Sequence, residues 1–244
     1  MKNRSLPILF KTITANFLNI CVFYPRMVYM SNHPEKFSET EQYDYCLKMI
    51  KLLIDASRVK VEAYGLENIP EKDGFYLCAN HQEKFDPLAI WYLFPRPRQI
   101  GVILDDKACH RPFIREVCKL IKSQKLHNYD MHSIVRNFNE ITKDLKNKQN
   151  YMVFPEGGYE KEPKVLGEFR PGCFKCAQRA KCPIVPVAII DSYRIFDKGY
   201  KTTKPLQVHF LKPIMPQEYE SLKTNEIAEL VKSRIKAELD IYQK

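Results

Sequence analysis

From residue 59 onward, short apolar runs alternate with longer segments of helical periodicity. Apolar runs bounded by turn residues indicate strands, and apolar residues three or four positions apart indicate helices. The pattern predicts strands at 59–64, 75–79, 99–104, 151–154, 184–190 and 206–211. It predicts helices at 39–57, 87–93, 112–122, 131–146, 172–180 and 225–242. Strands interleaved with helices favour an α/β fold, with a mixed, largely parallel sheet covered by helices.

The N-terminal residues depart from this alternation. We expect residues 1–57 to form a helical region ahead of a single domain at 58–244. Polar residues such as Asn19 and Arg26 interrupt the apolar segments of residues 6–30, and no run approaches the ~20 residues that a membrane-spanning helix needs. An apolar face with basic flanks suits a helix lying in the membrane interface. The alternative is a helix that packs on the protein's own core.

The formal net charge of +10 favours an anionic partner. Nucleic acid, an anionic phospholipid surface, coenzyme A and an acidic carrier protein all have the required charge. The sequence contains neither the finger spacing nor the aromatic signature of nucleic-acid-binding modules, so we expect no nucleic-acid partner.

Eight cysteines in a chain of 244 residues are expected to be reduced thiols, because a chain of this length can build a core without disulfides. Cys173 and Cys176 have the C-x-x-C spacing, with Cys182 nearby. A zinc site would need a second pair of ligands, which the sequence does not supply. A redox pair is the other functional alternative. We instead interpret Cys173 and Cys176 as neighbours on a helix at 173–181, and we expect no metal.

A histidine and an aspartate, His81 and Asp86, follow the apolar run at 75–79. Five residues along a helix correspond to a rotation of about 500°, so the two side chains could not share a helical face and the chain must bend between them. An imidazole beside a carboxylate is a pair suited to general-base catalysis. Asp86 also precedes Pro87 and an apolar segment, so it is alternatively, or in addition, a helix N-cap.

The second pattern, about 70 residues later, is the segment Val-Phe-Pro-Glu-Gly-Gly at 153–158. Its acid, Glu156, lies between Pro155 and two glycines, as in a tight turn. Backbone N–H groups of such glycines can receive a phosphate or an oxyanion. Both patterns follow predicted strands, so they are expected to meet where ligands collect in such sheets.

In this order and at this separation, the two patterns resemble the signatures of the glycerolipid acyltransferase family, His-x4-Asp and Phe-Pro-Glu-Gly. The likeness is to the 1-acylglycerol-3-phosphate acyltransferase (lysophosphatidic acid acyltransferase) type and covers roughly residues 59–212. One departure is clear, because Gly158 and Tyr159 stand where the family commonly has threonine or serine followed by arginine.

The resemblance implies specific roles. His81 would be the general base and Asp86 its orienting carboxylate, while Glu156 and Gly157 would shape the acceptor site. Phosphate binding would fall to basic residues among Lys107, Lys125, Lys161 and Arg170.

The resemblance also implies the reaction. A fatty acyl group would pass from acyl-coenzyme A or acyl carrier protein to the free hydroxyl of 1-acylglycerol 3-phosphate, forming phosphatidate without a cofactor. The alternatives are glycerol 3-phosphate or another lysophospholipid as acceptor, or a non-catalytic lipid-binding protein. These substrates favour a peripheral position on the cytoplasmic face of the cell membrane, in contact with its anionic surface.

Overall fold

The computed structural model describes residues 17–57, 59–126, 131–158, 162, 165–196 and 204–242. The helices are α1 Phe17–Asn32, α2 Glu39–Ser57, α3 Asp86–Leu93, α4 Asp106–Cys109, α5 Ile114–Leu120, α6 Met131–Lys146, α7 Lys175–Ala180, α8 Pro216–Tyr219 and α9 Thr224–Tyr242. The strands are β1 Val61–Tyr64, β2 Tyr76–Ala79, β3 Gly101–Asp105, β4 Gln124–Leu126, β5 Tyr151–Val153, β6 Ile184–Ile190 and β7 Leu206–Phe210. Short 3₁₀ turns occur at Pro34–Lys36, Leu66–Asn68, Pro171–Phe174 and Ser192–Phe196.

The seven strands form one sheet in the order β1-β7-β6-β2-β5-β3-β4. Neighbouring strands are parallel except β6 and β7, which are antiparallel. This arrangement confirms the predicted α/β fold with a mixed, largely parallel sheet. β2 occupies the central position, and the chain leaves its carboxyl end directly into the segment that carries His81.

Both faces of the sheet are covered, which explains why β2 is an uninterrupted apolar run. Leu77 and Ala79 contribute to one hydrophobic cluster, whereas Tyr76 and Cys78 contribute to a second cluster on the opposite face. Residues of α1, α2, α3 and α5 join the first cluster, and residues of α6, α7 and α9 join the second. A parallel strand covered on both sides needs apolar residues at every position.

The N-terminal helix α1 packs on the core along one face. Met27 and Met30 are buried in the same cluster as α2 and the sheet. Val22 and Tyr29, by contrast, are exposed. The core-packing alternative is therefore correct for one face of α1, while residues 6–16 of the proposed membrane-contacting segment lie outside the described residues. Among the residues that the structure describes, no helix is long and apolar enough to cross a membrane.

All eight cysteines are free thiols. Cys173 lies in the 3₁₀ turn before α7 and Cys176 lies within α7, where its side chain is buried in the second cluster. In the described part of the chain, no group of three or more potential ligands is placed to hold a metal ion.

Candidate active site

His81 and Asp86 meet in the bend between β2 and α3. The Nδ1 atom of His81 lies 2.7 Å from Oδ2 of Asp86. The Asp86 side chain is fully buried, and the His81 side chain retains 15% of its exposure. Because the carboxylate can only accept, this hydrogen bond places the proton on Nδ1 and leaves Nε2 as the basic ring nitrogen. The pair therefore has the arrangement of a general base with its orienting acid.

The carboxylate of Asp86 is used by the preceding bend and does not cap α3. Its Oδ2 atom accepts the backbone N–H groups of Gln82 at 2.7 Å and Glu83 at 2.9 Å. Asp86 is the first residue of α3, after an N-cap at Phe85 that makes no side-chain capping bond. The N-cap interpretation of Asp86 is thus wrong, because the bend turns the carboxylate back toward His81.

The aspartate also keeps a polar atom away from water. Oδ1 of Asp86 is buried and makes no hydrogen bond to any described residue. A buried carboxylate oxygen without a partner is costly, and such atoms need a physical reason. Here the carboxylate can stabilise a positive charge on the neighbouring imidazole, because their attraction is stronger when water is excluded.

Glu156 joins the two sequence motifs through backbone hydrogen bonds. Its Oε1 atom accepts the N–H of His81 at 2.7 Å, and its Oε2 atom accepts the N–H of Gly167 at 2.8 Å. Burial raises the pKa of the Glu156 carboxyl above its ordinary value of 4.5, against the opposing effect of these two bonds. Glu156 therefore holds the main chain of the histidine and of the following loop.

Gly157 provides space for Arg170. The glycine has φ of +71°, and a Cβ atom added there would lie 2.4 Å from the guanidinium carbon of Arg170. The backbone N–H of Arg170 donates to the carbonyl of Pro155 at 2.9 Å, which fixes the arginine beside the turn. The N–H of Gly157 donates to the carbonyl of Phe154 at 3.0 Å, so it stabilises the turn itself. These contacts place Arg170, which is an exposed residue, at the site.

The two lysines lie farther out along the same edge of the sheet. Lys107 is exposed in the first turn of α4, immediately after β3, which is separated from β2 by β5. Lys125 lies within the edge strand β4, opposite Leu104 of β3, and is half-buried. Lys161 lies outside the described residues. The described contacts thus unite His81, Asp86, Glu156, Gly157 and Arg170. Lys107, just after β3, and Lys125, in β4, lie farther along the sheet.

Two supporting residues were missed in the sequence. The side chain of Asn80 donates to the carbonyl of Ile189 at 3.0 Å and accepts its N–H at 2.7 Å. Oε1 of Gln82 accepts both the N–H and the hydroxyl of Ser192, at 3.1 and 3.3 Å. Both amides are buried and tie the segment around His81 to the end of β6. The sequence feature that could have identified Asn80 and Gln82 is that they are polar residues beside His81 at the end of an apolar strand.

An aromatic ring completes the surroundings of the histidine. The rings of His81 and Phe154 lie 4.5 Å apart between centroids, with an angle of 36° between their planes. Phe154 belongs to the second motif, directly before the turn with Glu156. Since hydrogen bonds fix both the Nδ1 edge and the backbone of His81, this contact restricts the remaining freedom of the ring.

Comparison with known proteins gives consistent matches. A family model described as Acyltransferase matches residues 60–190. The 1-acyl-sn-glycerol-3-phosphate acyltransferase of Saccharomyces cerevisiae is 29% identical over 185 residues, which cover 72% of this chain and 58% of the yeast protein. A probable 1-acyl-sn-glycerol-3-phosphate acyltransferase of Mycoplasma genitalium is 26% identical over 255 residues, covering 95% of this chain and 88% of that protein.

A solved structure matches across almost the whole chain. It is the crystal structure of the 1-acyl-sn-glycerophosphate acyltransferase of Thermotoga maritima, with a TM-score of 0.74 and 21% identity. The match covers 98% of each chain. At this identity the likeness establishes the fold.

Proposed function

Because the chain belongs to the acyltransferase family, we propose that it moves a fatty acyl group from an acyl thioester to the free hydroxyl of 1-acylglycerol 3-phosphate, forming phosphatidate. The observation that carries the proposal is the hydrogen bond of 2.7 Å between His81 and the buried Asp86. The relatives from yeast and Mycoplasma genitalium are named for this activity, and they support the choice of acceptor.

The pair would act on the acceptor hydroxyl. Nε2 of His81 takes the hydroxyl proton as the oxygen forms a bond to the thioester carbonyl carbon. The tetrahedral intermediate then expels the thiolate as the C–S bond breaks, and the imidazolium returns its proton to the sulfur. Asp86 stabilises the imidazolium between these steps, as the aspartate of a Ser-His-Asp triad does. The acceptor oxygen is itself the nucleophile, so no residue of the chain needs to carry the acyl group.

The surrounding residues would position this chemistry. Glu156 holds the backbone of His81 and the loop at Gly167, so it serves as a positioning residue. Arg170, fixed against Gly157, offers a planar guanidinium that suits a phosphate monoester. Lys107 and Lys125 would add positive potential along the neighbouring strands. No metal or organic cofactor enters this mechanism, since the acyl thioester is a co-substrate.

The partners would be the acyl donor, acyl-coenzyme A or acyl carrier protein, and an anionic membrane surface on its cytoplasmic face. The net charge of +10 suits both. On α1 the side chain of Val22 is exposed. Two other residues of α1 form cation–aromatic pairs with α2: Lys48 lies 4.4 Å from the Phe23 ring, and Arg26 lies 5.5 Å from the Tyr45 ring. Sedimentation with anionic vesicles measures this contact, and undiminished binding of Val22→Asp would place it elsewhere.

An acyl-transfer assay tests the proposal. The purified full chain, with anionic vesicles, is given a labelled acyl thioester of coenzyme A or of acyl carrier protein. The acceptors are 1-acylglycerol 3-phosphate, glycerol 3-phosphate and lysophosphatidylcholine, each assayed separately. We expect labelled phosphatidate as the main product, and none from the His81→Ala protein. Preference for another acceptor would change the substrate, and absence of transfer with every pair would overturn the proposed function.

A further inference from the structure

A partly buried polar cluster joins the N-terminal helix to the start of α5. The hydroxyl of Tyr24 in α1 donates to Oε2 of Glu116 at 3.1 Å and accepts the backbone N–H of Phe113 at 3.2 Å. The same N–H donates to Oε2 of Glu116 at 2.7 Å. The Glu116 side chain is 1% exposed, and its other oxygen binds Arg115 at 2.6 Å. The three residues Tyr24, Phe113 and Glu116 are called the Tyr24 cluster below.

The cluster stabilises an unfavourable backbone conformation. Phe113 has φ of +70° and ψ of −54°, although it is not a glycine. A bulky residue at positive φ is uncommon and persists only where its surroundings determine it. Its N–H is held by both Glu116 and Tyr24. Because Tyr24 belongs to a different helix, the conformation of this turn depends on where α1 lies.

The turn at Phe113 belongs to the connection that carries Lys107. This connection runs from β3 through α4, which contains Lys107, to the start of α5. The Sγ atoms of Cys109 in α4 and Cys118 in α5 lie 3.7 Å apart, so the two helices pack closely. A second bond, from Lys119 of α5 to Asn32 at 2.9 Å, links α5 to the end of α1. Helices α4 and α5 are thus held to each other and to α1.

We propose that Tyr24 is a positioning residue that couples the N-terminal helix to acceptor binding. Its hydroxyl holds the turn at Phe113 and, through α4, sets the position of Lys107 at the carboxyl end of β3. This coupling rests on the proposed function, in which Lys107 supplies positive charge for the acceptor phosphate. The coupled segment, residues 106–116, contains neither His81 nor Asp86, so we expect an effect on acceptor binding and not on the chemical step.

The variant Tyr24→Phe tests the coupling, because it removes one oxygen and keeps the packed ring. We expect the KM for 1-acylglycerol 3-phosphate to rise on the order of 3- to 10-fold, as for the loss of one or two hydrogen bonds. The kcat and the donor KM should stay within about twofold of the wild type. Tyr45→Phe is the matched control, since the Tyr45 hydroxyl also holds α1, through the carbonyl of Phe23 at 2.8 Å, without touching the Tyr24 cluster.

A double-mutant cycle identifies the route. If Tyr24 acts through Lys107, the acceptor KM of Tyr24→Phe combined with Lys107→Ala should equal that of Lys107→Ala alone. Additive effects, an unchanged acceptor KM in Tyr24→Phe, or an equal rise in Tyr45→Phe would each overturn the proposal.

Hydrogen exchange separates this test from the proposed function. The backbone amides of residues 106–113 should exchange faster in Tyr24→Phe than in the wild type. Their exchange rates should be unchanged in Tyr45→Phe. If the wild-type protein transfers no acyl group, the proposed function fails and exchange still measures the coupling. If the wild type is active and exchange in 106–113 is the same in all three proteins, the coupling fails alone.

Discussion

The carboxylate of Glu156 accepts the backbone N–H of His81 at 2.7 Å, although 75 residues separate the two in the chain. The second oxygen of the same carboxylate accepts the N–H of Gly167. Glu156 therefore holds the main chain of the residue that would act as base, and the loop that leads to Arg170. An acid in a glycine-rich motif can thus serve the reaction through the backbone.

Replacement of His81, the proposed base, should remove nearly all transfer. We expect His81→Ala to lower kcat by about 10²–10⁴-fold, because Nε2 of His81 would take the hydroxyl proton. The protein should stay folded, with a lower melting temperature because the buried Asp86 carboxylate loses one hydrogen bond. His33→Ala is the matched control, because His33 also lies beside an acid, Glu35 at 3.6 Å, on the exposed surface and away from the site. Near-normal turnover of His81→Ala would exclude the mechanism.

Glu156→Gln should reduce turnover for every acceptor. The glutamine has one oxygen, so one of the two N–H groups would face an NH₂ donor. We expect kcat to fall about tenfold or more, as for the loss of a hydrogen bond to a charged group, with little change in acceptor KM. Glu218→Gln is the control, because Glu218 accepts a backbone N–H of Met215 at 2.8 Å elsewhere in the fold. A change confined to the acceptor KM would instead indicate direct contact with the acceptor.

Gly157→Ala should displace Arg170. The added Cβ would lie 2.4 Å from the guanidinium carbon, and the positive φ is unfavourable for alanine. We expect the acceptor KM to rise as it does in Arg170→Ala. The acceptor KM of the double variant should be no higher than that of either single variant. Gly172→Ala adds the same methyl group where the nearest side-chain atom is 3.9 Å away, and it should retain the wild-type KM. Normal acceptor KM in Arg170→Ala would remove Arg170 from the phosphate site.

Glu83→Gln should stabilise the protein at neutral pH. Burial, reinforced by the neighbouring Asp86 carboxylate, raises the pKa of Glu83 above 4.5. The favourable contribution of its protonation is present below pH 4.5 and is lost as pH rises through the folded-state pKa. We expect the melting temperature of Glu83→Gln to exceed that of the wild type by about 1–2 °C at pH 7. The difference should vanish toward pH 4.5.

The control for this variant is Glu71→Gln, because Glu71 is exposed. Its melting temperature should follow that of the wild type across the pH range. If Glu83→Gln were no more stable than the wild type at pH 7, burial of the Glu83 carboxylate would carry no cost.

The sequence predicted the elements whose periodicity is set by burial. The fully buried strand β6 coincides with the predicted 184–190, and α2 and α6 coincide with the predicted 39–57 and 131–146. Strand β4 was missed because Gln124–Leu126 is three residues long and has no apolar run. Its extended conformation depends on pairing with β3, which is a tertiary effect.

The site was predicted less completely. The sequence motif indicated that His81 and Asp86 act together, and the bend between them brings their side chains into contact. The cap assigned to Asp86 was wrong, because a carboxylate before a proline and an apolar segment resembles an N-cap whichever way it turns. The close approach of Arg170 to Gly157 depends on a loop conformation that no periodicity records.

The central position of β2 has a consequence for how the protein fails under stress. At the carboxyl end of β2, Asn80 is hydrogen-bonded to Ile189 of β6, and Gln82 is hydrogen-bonded to Ser192 just after β6. Both faces of β2 are packed, so His81 follows a strand in the interior of the sheet. Local opening in proteins begins at frayed ends and edge elements. Local opening at β1, β4 or the N-terminal helix can therefore occur while the hydrogen bond between His81 and Asp86 stays intact. Heat or denaturant should therefore separate His81 from Asp86 only when the sheet itself unfolds.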